Sequence, residues 1–421
     1  RANLSSFKPG QEIFFRHPSF EIRSALKSTL PATIYLTELV IHTEQVVISA
    51  NKWEQELSEI PQNIVAIEAD DIQFRNSPTS ADILAQSGEV FVQKSQLGGG
   101  SPSLRGFAAN SVLLVFDGVR MNNAIYRSGN LQNVISIDPL ALDGVEVLMG
   151  SGSVIYGSDA LGGVMDFHSI DPNFSSDNKV ILQPDFLIRY GSAANEKTIH
   201  GSLIAEGKKL SSFTSVSFND YGDLQTGTVL DEEYPEYGIY PFLVGQDQNG
   251  NDILLDDDPL IQNPTGYHAL SILQKIRFRP SDRIDLQYSF YHNQSGDIPR
   301  FDRLIETDQT NTPINAEWYY GPQKWTMHSL RISFLKPKNW FDRLRILPSY
   351  QKYEESRFDR KFSSNSLRSQ NESLDIAGIS FDAEKSLGGR TELYYGIESI
   401  INWVESQASR KNLTDESTVP V

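Results

Sequence analysis

Residues 104–167 read LRGFAANSVLLVFDGVRMNNAIYRSGNLQNVISIDPLALDGVEVLMGSGSVIYGSDALGGVMDF. Two runs rich in β-branched and aliphatic residues, SVLLVFDGVRM and GVEVLMG, bracket a polar excursion punctuated by glycine. Runs of this length and composition predict short strands. Asp117-Gly118 suits a tight turn between two of them, because glycine reaches positive φ without strain. Gly150–Gly163 follows a strand, which raises a dinucleotide fingerprint. That motif needs glycine where Ile155 stands, and no strand–helix–strand repeat accompanies it. These glycines are read as turn formers that let backbone segments approach closely.

Before this stretch, 71–91 reads as a short helical region that Ser77 or Thr79 can cap, with Ile83 and Leu84 on its apolar face. After about Val180 the texture changes to alternating strands. Nine are expected: 186–190, 198–205, 212–218, 269–279, 283–292, 324–335, 344–353, 373–382 and 392–403. In 284–292, Ile284, Leu286, Tyr288 and Phe290 share one face, opposite Asp285, Gln287 and Ser289. In 392–403, Leu393, Tyr395, Ile397, Ile401 and Trp403 oppose Glu392, Tyr394, Glu398 and Asn402. Period two with one lipid-compatible face is what a membrane strand needs. The connections alternate between short turns (GKKL, RPSDR, PKNWFD, SLGGRT) and long polar stretches at 219–268, 293–323 and 354–372, with GSAANEK a short exception. Outer-membrane barrels show this asymmetry. A soluble sandwich or propeller accommodates such long connections poorly.

Composition narrows the function classes. The 421 residues carry a net charge of −17, which argues against a nucleic-acid partner. Cysteine is absent, which removes thiolate metal sites and cysteine nucleophiles and leans toward an exported protein. No run approaches the ~18–20 apolar residues of a membrane-spanning helix. The seven histidines are scattered, so no metal site is expected, and no G-x-S-x-G elbow appears. The acidic stretch Asp247–Asp258 departs from a calcium loop at its sixth and twelfth positions, Asp252 and Asp258, and reads as a solvated loop.

As an ordered set, Leu104–Phe107, Val115–Arg120 and Gly150–Gly163 resemble the plug domain of TonB-dependent outer-membrane receptors. The resemblance implies a mainly β chain: a small α+β plug domain (60–170) and part of an antiparallel transmembrane β-barrel (180–421). About nine of that family's 22 barrel strands are expected here, with 406–421 opening an external loop and the remaining barrel beyond Val421. Arg105, Gly106, Asp117, Gly118, Arg120, Glu146, Gly157, Gly162 and Gly163 take structural roles in the plug, the charged ones as ion pairs against the barrel wall. Glu44–Ala50 (Glu44, Gln45, Val46, Val47, Ile48, Ser49, Ala50) resembles a TonB box, a short strand offered to the energy-coupling partner TonB, with a linker to 59. An ordinary strand is the competing reading of those seven residues. Residues 1–43 resemble the end of the carboxypeptidase-regulatory-like β-sandwich found in Bacteroidetes-type receptors, which implies an N-terminal truncation.

The same resemblance implies a non-enzymatic importer in the bacterial outer membrane. It would take up an iron-containing nutrient, with haem or haemoglobin-derived haem favoured and a ferric siderophore as the alternative. Haem is then a transported substrate, and no cofactor is expected. Tyr126, Arg127 and Asn130 fall in the loop the family places at the plug apex, facing substrate. His268 and His292 lie near strand–loop junctions and are the barrel candidates for haem ligation. An adhesion or binding β-protein and an outer-membrane protease or esterase are the competing classes.

Overall fold

A computed structural model describes residues 8, 10–17, 20–29, 46–56, 60–94, 96–108, 111–125, 134–176, 179–229, 233–234, 238–240, 242–388 and 391–421. The chain divides into two units, Arg1–Val46 with Gln55–Ile60, and Val47–Glu54 with Pro61–Val421. In the first, Glu12–His17 and Phe20–Leu26 form an antiparallel hairpin. A two-stranded hairpin is common to many folds and does not by itself identify the β-sandwich expected for 1–43.

The second unit holds a small mixed sheet and a large antiparallel one. The small sheet comprises β1 (Asn63–Glu68), β2 (Val112–Phe116), β3 (Val119–Arg120), β4 (Leu142–Met149) and β5 (Gly163–Ser169), in the order β3-β2-β5-β4-β1. β5 runs parallel to β2, and the other pairs are antiparallel. All five residues of β2 are buried, which explains a run without alternation. Asp117 and Gly118 both take positive φ, 50° and 83°, the type I′ geometry that matches strand twist in a two-residue hairpin. Two helices flank the sheet, α1 (Ala69–Arg75) and α2 (Ser80–Gln86), where the sequence predicts a single region. Asn76, in the left-handed conformation, ends the first helix, and the Thr79 side chain caps the second by accepting from the Asp82 N–H. Gly162 and Gly163 close the domain. A Cβ on Gly162 would sit 2.2 Å from the Phe107 Cβ, and one on Gly163 2.5 Å from the Leu148 carbonyl oxygen.

The large sheet runs in chain order through β6 (Ile181–Gly191), β7 (Glu196–Glu206), β8 (Leu210–Tyr221), β9 (Tyr267–Ser281), β10 (Ile284–Ser295), β11 (Lys324–Phe334), β12 (Arg343–Lys361), β13 (Ser366–Gly388), β14 (Thr391–Asn412) and β15 (Thr418–Pro420). Each of the first nine overlaps one of the nine expected strands, and Asn315–Tyr320, inside the expected long connection 293–323, joins the same sheet by pairing with β12. Alternation sets the two faces. Phe186, Ile188, Val216, Phe218, Ile276, Phe278 and Ile397 are exposed on one, while Ser215, Ser217, Lys275, Asp285, Gln287 and Ser289 are buried on the other. That inverted pattern, apolar outside and polar inside, is the one a lipid-facing sheet requires. The polar face is buried because the small sheet packs against it. Phe116 of β2 meets Tyr291 and Trp325 at ring distances of 4.9 and 5.7 Å, and the Tyr291 hydroxyl donates to the Ser136 carbonyl at 2.7 Å. No helix among the described residues is long and apolar enough to cross a membrane.

Two expectations are corrected. Residues 354–372 are mostly strand: β12 and β13 continue to Lys361 and from Ser366, leaving only a tight turn between them. Residues 406–421 likewise extend β14 to Asn412 and turn back into β15. Both stretches are polar on each face, so hydrophobic alternation stops while ladder hydrogen bonding continues. Strands β12–β14 are 19, 23 and 22 residues long, about twice what a membrane crossing needs.

Candidate functional site

The functional geometry lies where the small sheet, the large sheet and the segment 47–54 meet, at the short-turn end of the strands. Glu146 stands in the middle of β4 and is nearly buried. Its two carboxylate oxygens accept the Ile48 N–H at 3.0 and 2.9 Å, and one of them also accepts the Ser49 N–H at 2.6 Å. Val47 and Ser49 are fully buried beside it. A carboxylate thus grips backbone groups that have no ladder partner of their own.

His168 on β5 lies 3.5 Å from Glu146 and 3.8 Å from Asp166. Burial works against the Glu146 charge, but the contacts with His168 and the Ser49 and Ile48 N–H groups outweigh it and hold the carboxyl below its ordinary value. Burial likewise opposes charge on His168. Asp166 and Glu146 prevail and lift its pKa to about 9. Asp166 is pushed up to about 6 by burial, which the nearby His168 only partly offsets.

The segment then reaches the large sheet. Lys52 pairs with Asp382 of β13 at 3.1 Å, and its carbonyl accepts from Arg345 of β12 at 3.0 Å. Trp53 is buried, with the Arg343 and Arg345 guanidinium groups 4.9 and 4.7 Å from its ring centre. These groups line a polar cavity of about 500 Å³ together with Tyr156, His168 and Arg331.

A buried ionic joint fastens the two sheets nearby. Lys275 of β9 contacts Asp117 at 3.1 Å, Asp171 at 2.5 Å and the Ser169 carbonyl at 3.0 Å. Arg331 of β11 takes the other Asp171 oxygen at 2.5 Å, and the two cations hold that carboxyl far below its usual range despite burial. Arg120 pairs with Asp159 at 2.7 Å and reaches Glu398 of β14 at 3.4 Å. Of the four charges expected to bind the barrel wall, Asp117 and Arg120 do so. Glu146 faces the tether instead. Arg105 sits exposed at φ 49° in the turn before Phe107, away from any barrel carboxylate among the described residues. Gly106 shares that turn at φ 88°, and Gly157 ends a short helix at φ 83°.

Both histidine candidates fall on the wrong face. His268 is exposed on the outward side of β9, stacked on outward Phe218 at 6.4 Å. His292 shares the outward parity of β10 and hydrogen-bonds Thr326 at 2.9 Å. Neither points at the small sheet, which removes them as ligands for a substrate inside. Tyr126, Arg127 and Asn130, and Glu44 and Gln45, lie outside the described residues. Val46 opens a two-residue strand with Val47. At the long-loop end a second cavity of about 470 Å³, mostly apolar, is lined by Thr79, Lys94, Leu97, Tyr221, Leu224 and Phe301. Sequence reasoning missed Lys52, Trp53, Asp171, Lys275, Arg343 and Arg345. Lys275 and Arg345 carried a signal, each a cation at an inward position of an expected strand.

Residues 56–164 match the family model of the TonB-dependent Receptor Plug Domain. The small sheet is a TonB-dependent receptor plug. The "Vitamin B12 transporter BtuB" of Vibrio vulnificus (strain CMCP6) is 33% identical over 161 residues, 38% of this chain and 26% of that protein. The "Hemin receptor" of Yersinia pestis is 29% identical over 130 residues, 31% of this chain and 19% of that one. Among solved structures, the "Copper transporter OprC" superposes with a TM-score of 0.62 at 12% identity, over 85% of this chain and 48% of that one. The alignments thus span about a quarter or less of the curated relatives and about half of the solved chain. Plug and large antiparallel sheet together form the fold of TonB-dependent receptor barrels. With its lipid-compatible outer face, this is an outer-membrane chain, and its relatives are transporters and receptors, not enzymes.

Proposed function

We propose that the chain belongs to an outer-membrane receptor that imports an iron-containing nutrient with energy transmitted by TonB, and that the nutrient is haem. The observation that carries the coupling half is the tether. A TonB-box-like segment, described from Val46, is held through its backbone by Glu146 on a plug strand, at the end of the sheet whose turns are short and therefore periplasmic. Substrate bound at the opposite end would shift the plug between states that hold or free this segment. Residues Tyr126, Arg127 and Asn130 are assigned to the outward-facing apex, and Tyr126 is the remaining candidate for ligating ferric haem. Haem is favoured by the resemblance to a hemin receptor. The resemblance to a vitamin B12 transporter makes a corrinoid the control substrate.

A deletion strain tests both halves. Growth on haem as sole iron source should fail and return with the gene, but not with a gene lacking Glu44–Ala50, whose product should still bind haem at the cell surface. Loss of growth on a ferric chelate alone would replace haem by a siderophore. Normal growth on every iron source and unchanged corrinoid uptake would sink the import reading.

A further inference from the structure

Arg345 of β12 is a half-buried cation with no ion-pair partner among the described residues. Its one described hydrogen bond runs from a terminal N–H to the Lys52 carbonyl at 3.0 Å, and its guanidinium carbon lies 4.7 Å over the Trp53 ring centre. Its Nε is cut off from solvent and has no hydrogen-bond partner. The other arginines and the lysine around the same cavity are paired. Lys52 meets Asp382 at 3.1 Å, Arg277 and Arg279 share Asp285 at 2.9 and 2.5 Å, Arg331 meets Asp171 at 2.5 Å, and Arg343 meets Glu384 at 2.5 Å. Two carboxylates act on Arg345 from beyond ion-pair distance. Asp382 has both oxygens engaged, by Lys52 and Ser380, and Glu54 is exposed.

Tyr156, 4% exposed, lines the same cavity, and its hydroxyl also has no partner. Lys52 brings the two orphans together: its ammonium lies 5.4 Å from the Tyr156 ring centre, and its carbonyl holds Arg345. Burial, with Asp166 and Glu146 nearby, raises the phenol well above its ordinary value, so it is a neutral O–H donor. Asp166 Oδ1 is an orphan acceptor on this cavity, but His168, 3.8 Å from the other oxygen and charged at neutral pH, offsets its charge.

Two orphaned donors and one uncompensated positive charge thus face a polar space of about 500 Å³. Water satisfies orphaned donors but brings no charge, and a desolvated cation without a counter-charge is costly. The deficit is a single unit, which matches a carboxylate rather than a doubly charged phosphate. A planar carboxylate also suits the N–H edge of a guanidinium.

We propose that Arg345 and Tyr156 form a binding site for one carboxylate group of a small molecule, at the short-turn end of the interface between plug and barrel. Lys52 belongs to the tether, so the occupant sits beside the segment that Glu146 holds. Two sources supply such a group: a nutrient leaving through the barrel, as haem would with its propionates, or a free acid of the periplasm. The first source rests on the proposed function, and the site itself does not.

Isothermal titration of the complete receptor in lipid nanodiscs with 4-bromobenzoate tests the site. Wild type should bind it, and should bind 4-bromobenzamide, of similar size but uncharged, at least about tenfold more weakly. Arg345→Met should raise Kd at least about tenfold, and Tyr156→Phe about threefold to tenfold. Arg345→Lys, which keeps the charge but loses the planar N–H edge, should fall between wild type and Arg345→Met. Arg279→Met removes a cavity cation that already has its carboxylate and should leave Kd nearly unchanged. Equal affinity for acid and amide, or an unchanged Kd in both Arg345→Met and Tyr156→Phe, would overturn the site. Binding that appears only in Glu54→Gln would overturn it too, since the chain's own carboxylate would then fill it. Haem entry reads the source. Slower entry in Arg345→Met at normal surface binding assigns the site to the nutrient, and unchanged entry assigns it to a free acid. A receptor that imports no haem but still binds 4-bromobenzoate through Arg345 would sink the proposed function and leave the site standing.

Discussion

Glu146 satisfies two backbone donors on the tether and faces a histidine, and its chemistry sets two expectations. Replacing it with Gln keeps the shape but removes the charge that strengthens those bonds. Charge-assisted hydrogen bonds contribute about 1.5–3 kcal/mol, so the fraction of released tether should rise roughly tenfold or more. The rate of thiol labelling at Ala50→Cys reads this directly, and an unchanged rate would mean that other contacts hold the segment. The pH profile follows from signs. The Glu146 carboxyl lies below its ordinary value, so its contribution is complete above pH 4.5 and is lost as pH falls through the folded value. His168 is raised from 6.5 to about 9, so its contribution is complete below 6.5 and vanishes as pH climbs through about 9. Asp166, raised from 3.8 to about 6, has the opposite sign for an acid: its ionisation costs stability across that interval. Labelling at Ala50→Cys, normalised to the thiol's own reactivity, should therefore be slowest in the mildly acidic range, between about pH 4.5 and 6.5. It should rise in stronger acid as Glu146 is protonated, and again as pH climbs from 6.5 through about 9, where two buried carboxylates lose their cation. A flat profile would contradict the assignment. None of this was legible in sequence. Glu146 sits in an apolar run, GVEVLMG, where the resemblance implies an ion pair against the barrel wall and no local pattern marks a contact with the tether.

At the scale of the strand, parity decides almost everything. Ile397 and Glu398 are neighbours on β14, one 69% exposed on the outer face and the other turned toward Arg120. Ile397→Arg places a charge in lipid and should cost about 2–4 kcal/mol near the midplane, seen as reduced heat-resistant folded receptor in membranes. Glu398→Gln removes only a long 3.4 Å pairing and should change folding by less than about 1 kcal/mol. Equal effects would mean that the faces are misassigned. The same parity was available for His268 and His292, each an even-numbered residue on the face that carries Ile276 and Phe290. Counting along the strand would have turned them toward lipid. Strand ends were harder to read. Beyond Tyr353 the lipid pattern stops, yet ladder hydrogen bonds need no hydrophobic face, so β12–β14 continue where the sequence reads as loop.

For the whole molecule, the joint between plug and barrel combines an apolar core around Phe116, Tyr291 and Trp325 with a buried ionic cluster. Lys275 is the hub, with a 1% exposed side chain between Asp117 and Asp171. Lys275→Met would leave two carboxylates facing one another with only Arg331 to balance them. Breaking a buried pair from one side costs about 3–5 kcal/mol, so the plug should become protease-sensitive at lower urea while the barrel stays folded. Simultaneous loss of both would show that plug and barrel unfold as one body. Alternation and turn chemistry sufficed to place the nine strands and their apolar faces, and the ordered glycine and Arg-Gly-Phe motifs marked the plug by resemblance. These are local properties, each set by a residue and its near neighbours. Lys275–Asp171, Glu146–Ile48 and Trp53–Arg343 join residues about a hundred or more positions apart, and no local pattern announces them. Which charge meets which depends on how the plug is seated against the sheet, and that only the tertiary structure decided.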